Sequence, residues 1–371
     1  MSKKYLVTGG CGFIGSFVVD RLISGGDEVR IFDNIEEQVH GGNIPEHVNE
    51  KAELFKGDVR NRDQLKEAVE DVDAIFHLAA AVGVGQSMYQ ISKYTEVNVM
   101  GTANLLDVLA NENHSVKKIL VASSMSNYGE GLHQCESCGI TVKPKERSEA
   151  QLLRGDWEHF CDCGNILTPM PTHEGASMDS TSVYALTKKM QEEMTLAVGK
   201  AYGIPAVALR FFNVYGPRQS LNNPYTGVTA IFMSRLKNGN QPVIYEDGNQ
   251  TRDFISVHDL ALANVMAMES NAANYEVFNV GSGRPVSIKE VAETLANVLD
   301  VNIQPQITKK FRKGDIRHCF ANNTKIIQKL GWEPKISFEE GMRELVAWSS
   351  GVEAEDKFEA ATEELKSKGL M

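Results

Sequence analysis

The stretch Thr-Gly-Gly-Cys-Gly-Phe-Ile-Gly at residues 8–15 decides the fold, because it joins a short apolar run to a helical pattern. Residues 5–8 predict a buried strand and residues 13–24 predict a helix. The glycines satisfy both G-x-G-x-x-G and G-x-x-G-x-x-G. A turn without side chains lets the backbone approach a diphosphate, and the helix N-terminus adds unpaired N–H groups and a positive dipole end. The turn therefore predicts a dinucleotide-binding site.

Strands and helices alternate outward from this turn. Further strands are predicted at 28–32, 52–55, 74–78, 118–122 and 206–211, and helical patterns at 63–69, up to about residue 113, and at 182–202. Such alternation implies parallel strands joined by crossover helices. The predicted fold class is therefore α/β, with a doubly wound parallel sheet.

The composition and net charge indicate which classes of protein this chain can belong to. Of 371 residues, 42% are hydrophobic and 23% are charged, as in ordinary globular chains. The net charge of −11 disfavours general binding to nucleic acid or to an anionic membrane, since phosphates attract basic surfaces. The apolar stretch at the N-terminus is too short for a signal peptide, and no run of about 20 apolar residues occurs. We therefore expect a cytoplasmic protein without nucleic-acid or membrane partners.

An acidic residue follows the second predicted strand. Asp33 comes 18 residues after Gly15, and Asn34 follows it. A carboxylate at this position accepts hydrogen bonds from an adenosine ribose and repels a 2′-phosphate. The sequence therefore predicts NAD rather than NADP as cofactor.

Tyr184 and Lys188 lie four residues apart, so they share one face of the predicted helix. A tyrosine with a pKa of about 10 is almost entirely neutral at pH 7, but a nearby ammonium and a cationic nicotinamide both favour the phenolate. Such a phenolate can take a proton from a sugar hydroxyl while hydride leaves the same carbon. Ser124 follows the strand ending near residue 122, where ligands bind in open α/β sheets. We predict Ser124, Tyr184 and Lys188 as the catalytic residues.

An ordered series of motifs extends to about residue 350. They lie at 8–15, 57–59 (GDV), 77–80 (HLAA), 98–102, 123–129, 184–188, 210–218 (RFFNVYGPR), 252–254, 278–283 (FNVGSG) and 312–315. This series resembles the extended short-chain dehydrogenase/reductase family, in its nucleotide-sugar epimerase/dehydratase branch. The resemblance implies an NAD-binding Rossmann domain at 1–213 and a smaller lobe at 214–351 that mainly binds the nucleotide sugar. Residues 252–280 would return to the first domain.

The resemblance also assigns residues to each ligand. The expected cofactor-binding residues are Gly9, Gly12, Phe13, Ile14, Gly15, Asp33, Asn34, Asp58, Val59, Leu78, Ala79, Ala80, Asn98, Tyr184 and Lys188. The expected substrate-binding residues are Ser124, Asn213, Gly227, Val228, Tyr245, Arg252, Arg312 and Asp315. Paired arginines suit a diphosphate because each guanidinium can bond it bidentately. A homodimer through helices near 89–113 and 182–202 is implied as well, and the charged tail at 352–371 is expected to be a solvated helix or a frayed end.

The resemblance favours a C4 epimerase within the branch. Similar 4,6-dehydratases carry Thr-Asp-Glu where this chain has Ser124-Met125-Ser126, and Met125 supplies neither the acid nor the base that elimination or 3,5-epimerisation needs. Oxidation at C4, rotation of the keto sugar and return of the hydride require only Ser124, Tyr184, Lys188 and NAD. The favoured subgroup is the dTDP-L-rhamnose 4-epimerases, whose cysteine-containing insertion this chain resembles. A UDP-glucose/galactose-type 4-epimerase, or a nucleotide-sugar oxidoreductase or decarboxylase, is the alternative.

Residues 130–175 lack clear periodicity and hold four of the six cysteines. Cys135-x-x-Cys138 and Cys161-x-Cys163 could bind zinc tetrahedrally through four thiolates. The second pair is one residue short of the usual C-x-x-C spacing, and His159 could substitute for Cys161. Free thiols, or a disulfide between the pairs, are the alternatives. We expect a small inserted module, with a structural zinc as its favoured ligand.

Overall fold

The computed structural model describes residues 2–312 and 314–370. Within these ranges the strands are β1 Lys4–Thr8, β2 Glu28–Asp33, β3 Glu53–Lys56, β4 Ala74–His77, β5 Lys118–Ser124, β6 His133–Gln134, β7 Thr141–Val142, β8 Thr168–Pro169, β9 Ala206–Phe211, β10 Asn213–Tyr215, β11 Val243–Ile244, β12 Thr251–Ser256, β13 Glu276–Val280, β14 Pro285–Ser287, β15 Gln306–Ile307 and β16 His318–Cys319. The strands of the first half match the sequence prediction closely, because each is a short apolar run bounded by polar or glycine residues.

The helices lie mainly between these strands. They are α1 Phe13–Ser24, α2 Glu37–His40, α3 Arg62–Val69, α4 Val84–Ser87, α5 Ile91–Tyr94, α6 Gly101–Asn111, α7 Glu149–Leu153, α8 Val183–Tyr202, α9 Val228–Lys237, α10 Val257–Glu269, α11 Ile288–Val298, α12 Thr324–Leu330, α13 Phe338–Ser349 and α14 Phe358–Ser367. A π-helical turn spans Thr95–Met100, and 3₁₀ turns span Met125–Tyr128 and Asn271–Ala273. No helix in the described part of the chain is long and apolar enough to cross a membrane.

The main sheet has seven parallel strands in the order β13–β9–β5–β4–β1–β2–β3. Neighbouring residues of β1 point to opposite faces, so Val7 joins the core beneath α1 and α10 while Leu6 joins the core beneath α3 and α6. Every residue of β5 is buried. The predicted doubly wound α/β fold is confirmed. The chain reverses its direction of winding between β1 and β4, which is where such sheets bind ligands.

A smaller lobe packs against the carboxyl ends of these strands. β12 pairs with β10, β14 and β16, and the apolar faces of α9, α11 and α13 form a separate core. The chain re-enters the first domain after β12, because α10 packs against α1 and β13 pairs with β9. The smaller lobe and the Rossmann domain are therefore interleaved in sequence.

Two regions differ from the simple sequence pattern. The helical stretch expected up to about residue 113 is broken at Gly83, whose φ of +140° suits glycine alone, and continues through the π-helical turn. The tail is not a solvated or frayed end, because Ala361 and Leu365 of α14 are buried against the rest of the molecule. Its charged residues lie on the outer face, which made the tail look solvated in the sequence.

Candidate active site

A cavity of about 670 Å³ lies between the main sheet and the smaller lobe. Its volume is typical of sites for cofactors and small ligands. It extends from the glycine turn at the end of β1, past the ends of β4 and β5, to the loop before β16. Among the predicted cofactor and substrate residues, only Asp58 and Asn98 do not line it.

The glycine turn is held tightly by its neighbours. Gly9 has a φ of +73°, and a Cβ added to it would lie 2.9 Å from the backbone of Ala79. A Cβ on Gly15 would lie 2.1 Å from the carbonyl oxygen of Gly9. Gly12 caps α1 without a side chain, and the first turn holds no acidic residue. The N–H groups in the first turn of α1 therefore face the cavity, at the positive end of the helix dipole. This arrangement fits a diphosphate.

The carboxylate of Asp33 lies at the end of β2 beside this turn. It accepts hydrogen bonds from the amides of Cys11 (3.1 Å) and Ile35 (2.9 Å), which fixes its orientation. Each carboxylate oxygen has further acceptor capacity for a ribose hydroxyl. Lys93, a nearby cation on the cavity wall, is paired with Glu36 at 2.7 Å. These residues fit the adenosine half of NAD and offer no free positive charge to a 2′-phosphate.

Asp58 and Asn98 support the site from behind its wall. Asp58 pairs with Arg60 at 2.6 Å and accepts a hydrogen bond from Asn34. It therefore holds Asn34, which lines the cavity, in place. Asn98 is fully buried and bonds both the amide and the carbonyl of Ala81 as well as Thr187. Asn98 therefore fixes the loop after β4 to α8, and its contact with the cofactor stays a prediction.

Ser124 and Tyr184 meet at the middle of the cavity. Ser124 ends β5, Tyr184 lies in the first turn of α8, and both residues line the cavity. The Oγ of Ser182 caps α8 at the amide of Ala185, and the Oγ of Ser87 accepts a hydrogen bond from the amide of Tyr184 at 3.0 Å. The phenol is therefore positioned by two separate segments of the chain.

The pKa values of Tyr184 and Lys188 differ from the sequence-based expectation of a phenolate beside a lysine ammonium. Burial raises the pKa of Tyr184, and the hydrogen bond from Ser124 lowers it in part. Burial also lowers the pKa of Lys188 to about 7. The Nζ of Lys188 donates to the side chain of Gln191 at 2.8 Å. The protein alone therefore favours a neutral phenol beside a partly protonated lysine, and an additional positive charge is needed to favour the phenolate.

A buried ionic network lies directly behind Ser124. Arg210 bonds both oxygens of Glu192, at 3.0 and 2.5 Å, and donates to the hydroxyl of Tyr128. Glu192 in turn accepts a hydrogen bond from Ser123 at 2.6 Å. Because Glu192 lies on α8 and Ser123 on β5, the network fixes the two elements that carry the catalytic side chains.

The substrate end of the cavity holds unsatisfied polar atoms. The side-chain oxygens of Asn213, Gln219 and Gln250 are buried without a hydrogen-bond partner in the structure, and all three residues line the cavity. Buried polar atoms are normally paired, so these oxygens point to a ligand or water rich in hydrogen-bond donors. Of the three, only Asn213 was singled out in the sequence as a binding residue. The two glutamines lie in loops without a recognisable motif.

The two arginines predicted to bind a diphosphate differ in how far protein groups already occupy their hydrogen-bond donors. Arg312 is 43% exposed at its side chain, lies over the ring of Tyr245 at 4.9 Å and pairs with Asp315 at 2.8 Å. Arg252 donates to the carbonyl oxygens of Thr251, Ile316 and Arg317. Arg312 is therefore free to bond an anion, while Arg252 mainly holds the loop that presents Asp315.

The cysteine insert forms a small three-stranded sheet, β7–β6–β8, with a four-thiol cluster beside it. The Sγ atoms of Cys135 and Cys163 are 3.6 Å apart, and those of Cys138 and Cys161 are 3.9 Å apart. All four lie within 4.8 Å of one another. Tetrahedral zinc with Zn–S bonds of about 2.3 Å separates its sulfur ligands by about 3.8 Å, so the cluster fits this ion.

His159 is not part of the cluster, in contrast to the substitution considered from the sequence. Its Nε2 lies 3.0 Å from Glu130, inside a second buried ionic network. There Arg147 of the insert bonds Glu246 and the carbonyl oxygen of Asp315, while Arg317 bonds the same Glu246. The insert is thus joined directly to the substrate end of the cavity. No sequence motif marked this connection, because its members are widely separated along the chain.

The chain matches a protein-family model described as GDP-mannose 4,6 dehydratase over residues 6–138 and 164–345. The unmatched stretch between them lies within the cysteine insert. A dTDP-L-rhamnose 4-epimerase of Burkholderia thailandensis is 38% identical over 351 residues, covering 93% of this chain and 94% of the relative.

Two solved structures extend the likeness to the whole fold. The UDP-N-acetylglucosamine 4-epimerase of Methanobrevibacter ruminantium, in complex with UDP-N-acetylmuramic acid, has a TM-score of 0.75 at 33% identity, covering 94% of this chain and 98% of that one. The UDP-glucose 4-epimerase of Thermus thermophilus, in complex with NAD, has a TM-score of 0.75 at 29% identity, covering 94% and 100%. Fold, motifs and family model agree, and the chain belongs to the GDP-mannose 4,6-dehydratase family of extended short-chain dehydrogenases/reductases, which also contains nucleotide-sugar 4-epimerases.

Proposed function

We propose that the chain is an NAD-dependent C4 epimerase of a nucleotide-diphosphate sugar, with dTDP-L-rhamnose as the favoured substrate. The observation that carries this proposal is the meeting of Ser124 and Tyr184 at the middle of the cavity, with Lys188 on the same helix face. On one side lies a turn suited to a dinucleotide diphosphate, and on the other lies Arg312. A sugar carbon placed at the phenol would therefore lie between a cofactor and the anchor for its own diphosphate.

When bound, NAD supplies the acceptor for the hydride that leaves C4 and the donor that returns it to the opposite face. Tyr184 takes the proton of the C4 hydroxyl and later gives it back. Ser124 shares a hydrogen bond with the same oxygen and so orients it. Lys188 lies on the same face of α8, and its ammonium, when protonated, would favour the phenolate of Tyr184 together with the cationic nicotinamide.

The residue beside Ser124 supports epimerisation over dehydration. Met125 lines the cavity and is 8% exposed. Its thioether can neither donate nor remove a proton, so the elimination of water across C5 and C6 lacks an acid and a base at this position. The similarity to the Burkholderia 4-epimerase supports the choice of a dTDP-linked deoxy sugar.

A panel of nucleotide sugars tests the proposal. The protein is incubated with dTDP-L-rhamnose, UDP-glucose and UDP-glucuronate, and the configuration at C4 is followed by NMR while absorbance at the NADH wavelength is recorded. We expect inversion at C4 of dTDP-L-rhamnose without net NADH. Inversion of UDP-glucose alone would favour the UDP-glucose/galactose-type alternative, and stoichiometric NADH or release of CO₂ would favour an oxidoreductase or decarboxylase.

We further propose that the four-thiol cluster binds a structural zinc ion. The sulfur–sulfur distances of 3.6 and 3.9 Å support this, since four thiolates complete a tetrahedral zinc site. Close thiols of this kind persist in a reducing compartment, and we propose the cytoplasm. Elemental analysis of protein purified without chelator is expected to give one zinc per chain. A chain without metal would overturn this proposal.

A homodimer through α6 and α8 is also proposed. The large apolar side chains of Met100, Leu186 and Met190 are 51%, 50% and 45% exposed on neighbouring elements, a pattern that supports burial against a second copy. Light scattering of the purified protein is expected to give twice the chain mass. A Leu186→Glu variant is expected to lower it towards that of one chain.

A further inference from the structure

The C-terminal helix α14 lies along the cavity rather than on the outer surface. Phe358, Ala361, Thr362 and Leu365 all line the cavity, and they recur at the spacing of one helix face. Ala361 and Leu365 are 8% and 9% exposed. The match to the family model ends at residue 345, so this helix lies outside the part of the chain that the model describes.

One end of α14 contacts the substrate lobe. The guanidinium of Arg235 lies over the ring of Phe358 at 4.5 Å and pairs with Glu359 at 2.7 Å. Thr362 lines the cavity together with Tyr245, the ring over which Arg312 lies. Burial raises the pKa of Tyr245, while Arg312 and the hydroxyl of Thr362 lower it. The helix therefore touches the residue that carries the expected diphosphate anchor.

The other end of α14 contacts the catalytic side of the cavity. Leu365 lies against Gly85 of α4, where an added Cβ would be 3.4 Å from its Cδ2. The hydroxyl of Tyr225 donates to Glu364 at 2.6 Å and accepts from Tyr89 at 2.7 Å. Because Ser87 of α4 bonds the amide of Tyr184, only one short helix separates Leu365 from the catalytic tyrosine.

We propose that α14 is a substrate-binding element, and that its docking is coupled to the binding of the nucleotide sugar. The inference rests on the proposed function, since it takes the nucleotide sugar as the ligand of this cavity. Leu365 and Ala361 supply an apolar wall near the catalytic end, and Thr362 lines the cavity with the ring that supports Arg312. The helix has ten residues, too few for stability by itself, so it depends on this docking.

The polar contacts of α14 suit an element that opens and closes. The hydrogen bond from Tyr225 to Glu364 is solvent-exposed, and water competes for both of its groups, so it contributes little to stability. A nucleotide sugar bound beneath the helix would add buried contact to Leu365 and Thr362. Binding would therefore favour the docked helix, and docking would raise the affinity for the nucleotide sugar by the same factor.

Variants in the full-length holoenzyme test the coupling. We expect Leu365→Ala to raise the KM for the active nucleotide sugar about tenfold, with kcat changed less, since removal of a buried leucine side chain weakens docking. Glu364→Gln is expected to raise KM about two- to threefold. Glu363→Gln is the matched control, because Glu363 lies exposed on the outer face of the same helix. The content of bound NAD is expected to stay unchanged in all three.

Hydrogen exchange tests the same coupling without turnover. In the wild-type holoenzyme, dTDP or UDP at saturation is expected to slow exchange of the amides at 358–367. An unchanged KM in Leu365→Ala, or exchange unaffected by a nucleotide that calorimetry shows to bind, would overturn the role of α14 while epimerase activity stands. Slowed exchange in a protein that epimerises no sugar of the panel would instead support α14 and contradict the proposed reaction. Failure of both nucleotides to bind would overturn both.

Discussion

The two ends of the cavity are built in different ways. The cofactor end comes from three short stretches, 8–15, 33–34 and 78–80, each at the carboxyl end of a neighbouring parallel strand. The substrate end combines loops from the smaller lobe, the segment before β16 and the C-terminal helix, braced by Arg147 of the insert. Backbone geometry defines the first end, and long-range side-chain contacts define the second. The first end can therefore be predicted from the sequence and is sensitive to a single added methyl group, while the second depends on remote segments of the chain.

The largest expected effect concerns the phenol at which the two ends meet. Tyr184→Phe removes the only atom of that side chain able to accept the C4 proton, so kcat is expected to fall by about 10²–10⁴-fold, the usual size of a general acid–base contribution. Bound NAD, measured by absorbance after extraction, is expected to stay at the wild-type level, because the cofactor end is untouched. Wild-type turnover in this variant would contradict the catalytic assignment.

A second prediction concerns a substitution that disrupts only the cofactor end of the cavity. In Gly15→Ala the new Cβ would lie 2.1 Å from the carbonyl oxygen of Gly9, so the turn must shift away from α1. We expect loss of co-purifying NAD and a free energy of unfolding lowered by about 1–3 kcal/mol, as for other overpacked sites. Gly351→Ala is the control, since an added Cβ there meets no atom within 4 Å and its φ lies outside the left-handed region. Normal NAD content in Gly15→Ala would show that the turn is more adaptable than its contacts indicate.

The difference between the cofactor end and the substrate end also explains how much of the site could be predicted from the sequence. The glycine turn, Asp33 and the pair Tyr184–Lys188 follow from local spacing, and the structure brings all of them to one cavity. Asn98 was assigned to the cofactor by the resemblance, and the sequence did not indicate that its side chain, on a π-helical turn, is buried against Ala81 and Thr187. Spacing predicts position along an element, but not which buried partner a polar side chain finds.

Residues of the substrate end were harder to predict, for two physical reasons. Gln219 and Gln250 lie in loops, where no periodicity reports which side chains face a cavity. The tail was misread because Glu359, Glu363 and Glu364 dominate its composition, whereas the four residues that line the cavity lie on one face of α14. A short amphipathic pattern of this kind is visible in the sequence, yet its partner surface exists only after the lobe has folded.

A third prediction tests whether the insert supports the substrate end. Cys135→Ser removes one of the four thiols, and we expect loss of zinc, a lower Tm and a KM for nucleotide sugar raised about tenfold, because Arg147 then loses its fixed approach to Glu246 and the loop of Asp315. Bound NAD is expected to remain unchanged. Asp162→Asn, on the exposed loop between two of the cysteines, is the control. An unaltered KM in metal-free protein would separate the insert from substrate binding.

The smallest expected effect concerns Lys188, which activity requires although its buried ammonium lowers the stability of the folded protein. Burial lowers its pKa to about 7, against about 10.4 in an unfolded chain, so between these values the unfolded chain binds more protons. Stability therefore rises with pH across this window, and the cost of the buried ammonium is fully present below it. In protein stripped of NAD, Lys188→Met is expected to raise Tm, by more at pH 6 than at pH 9, while activity is lost. Lys189→Met, at the half-exposed neighbouring position, is expected to show no such pH dependence, and an equal gain for Lys188→Met at both pH values would mean that the lysine titrates normally.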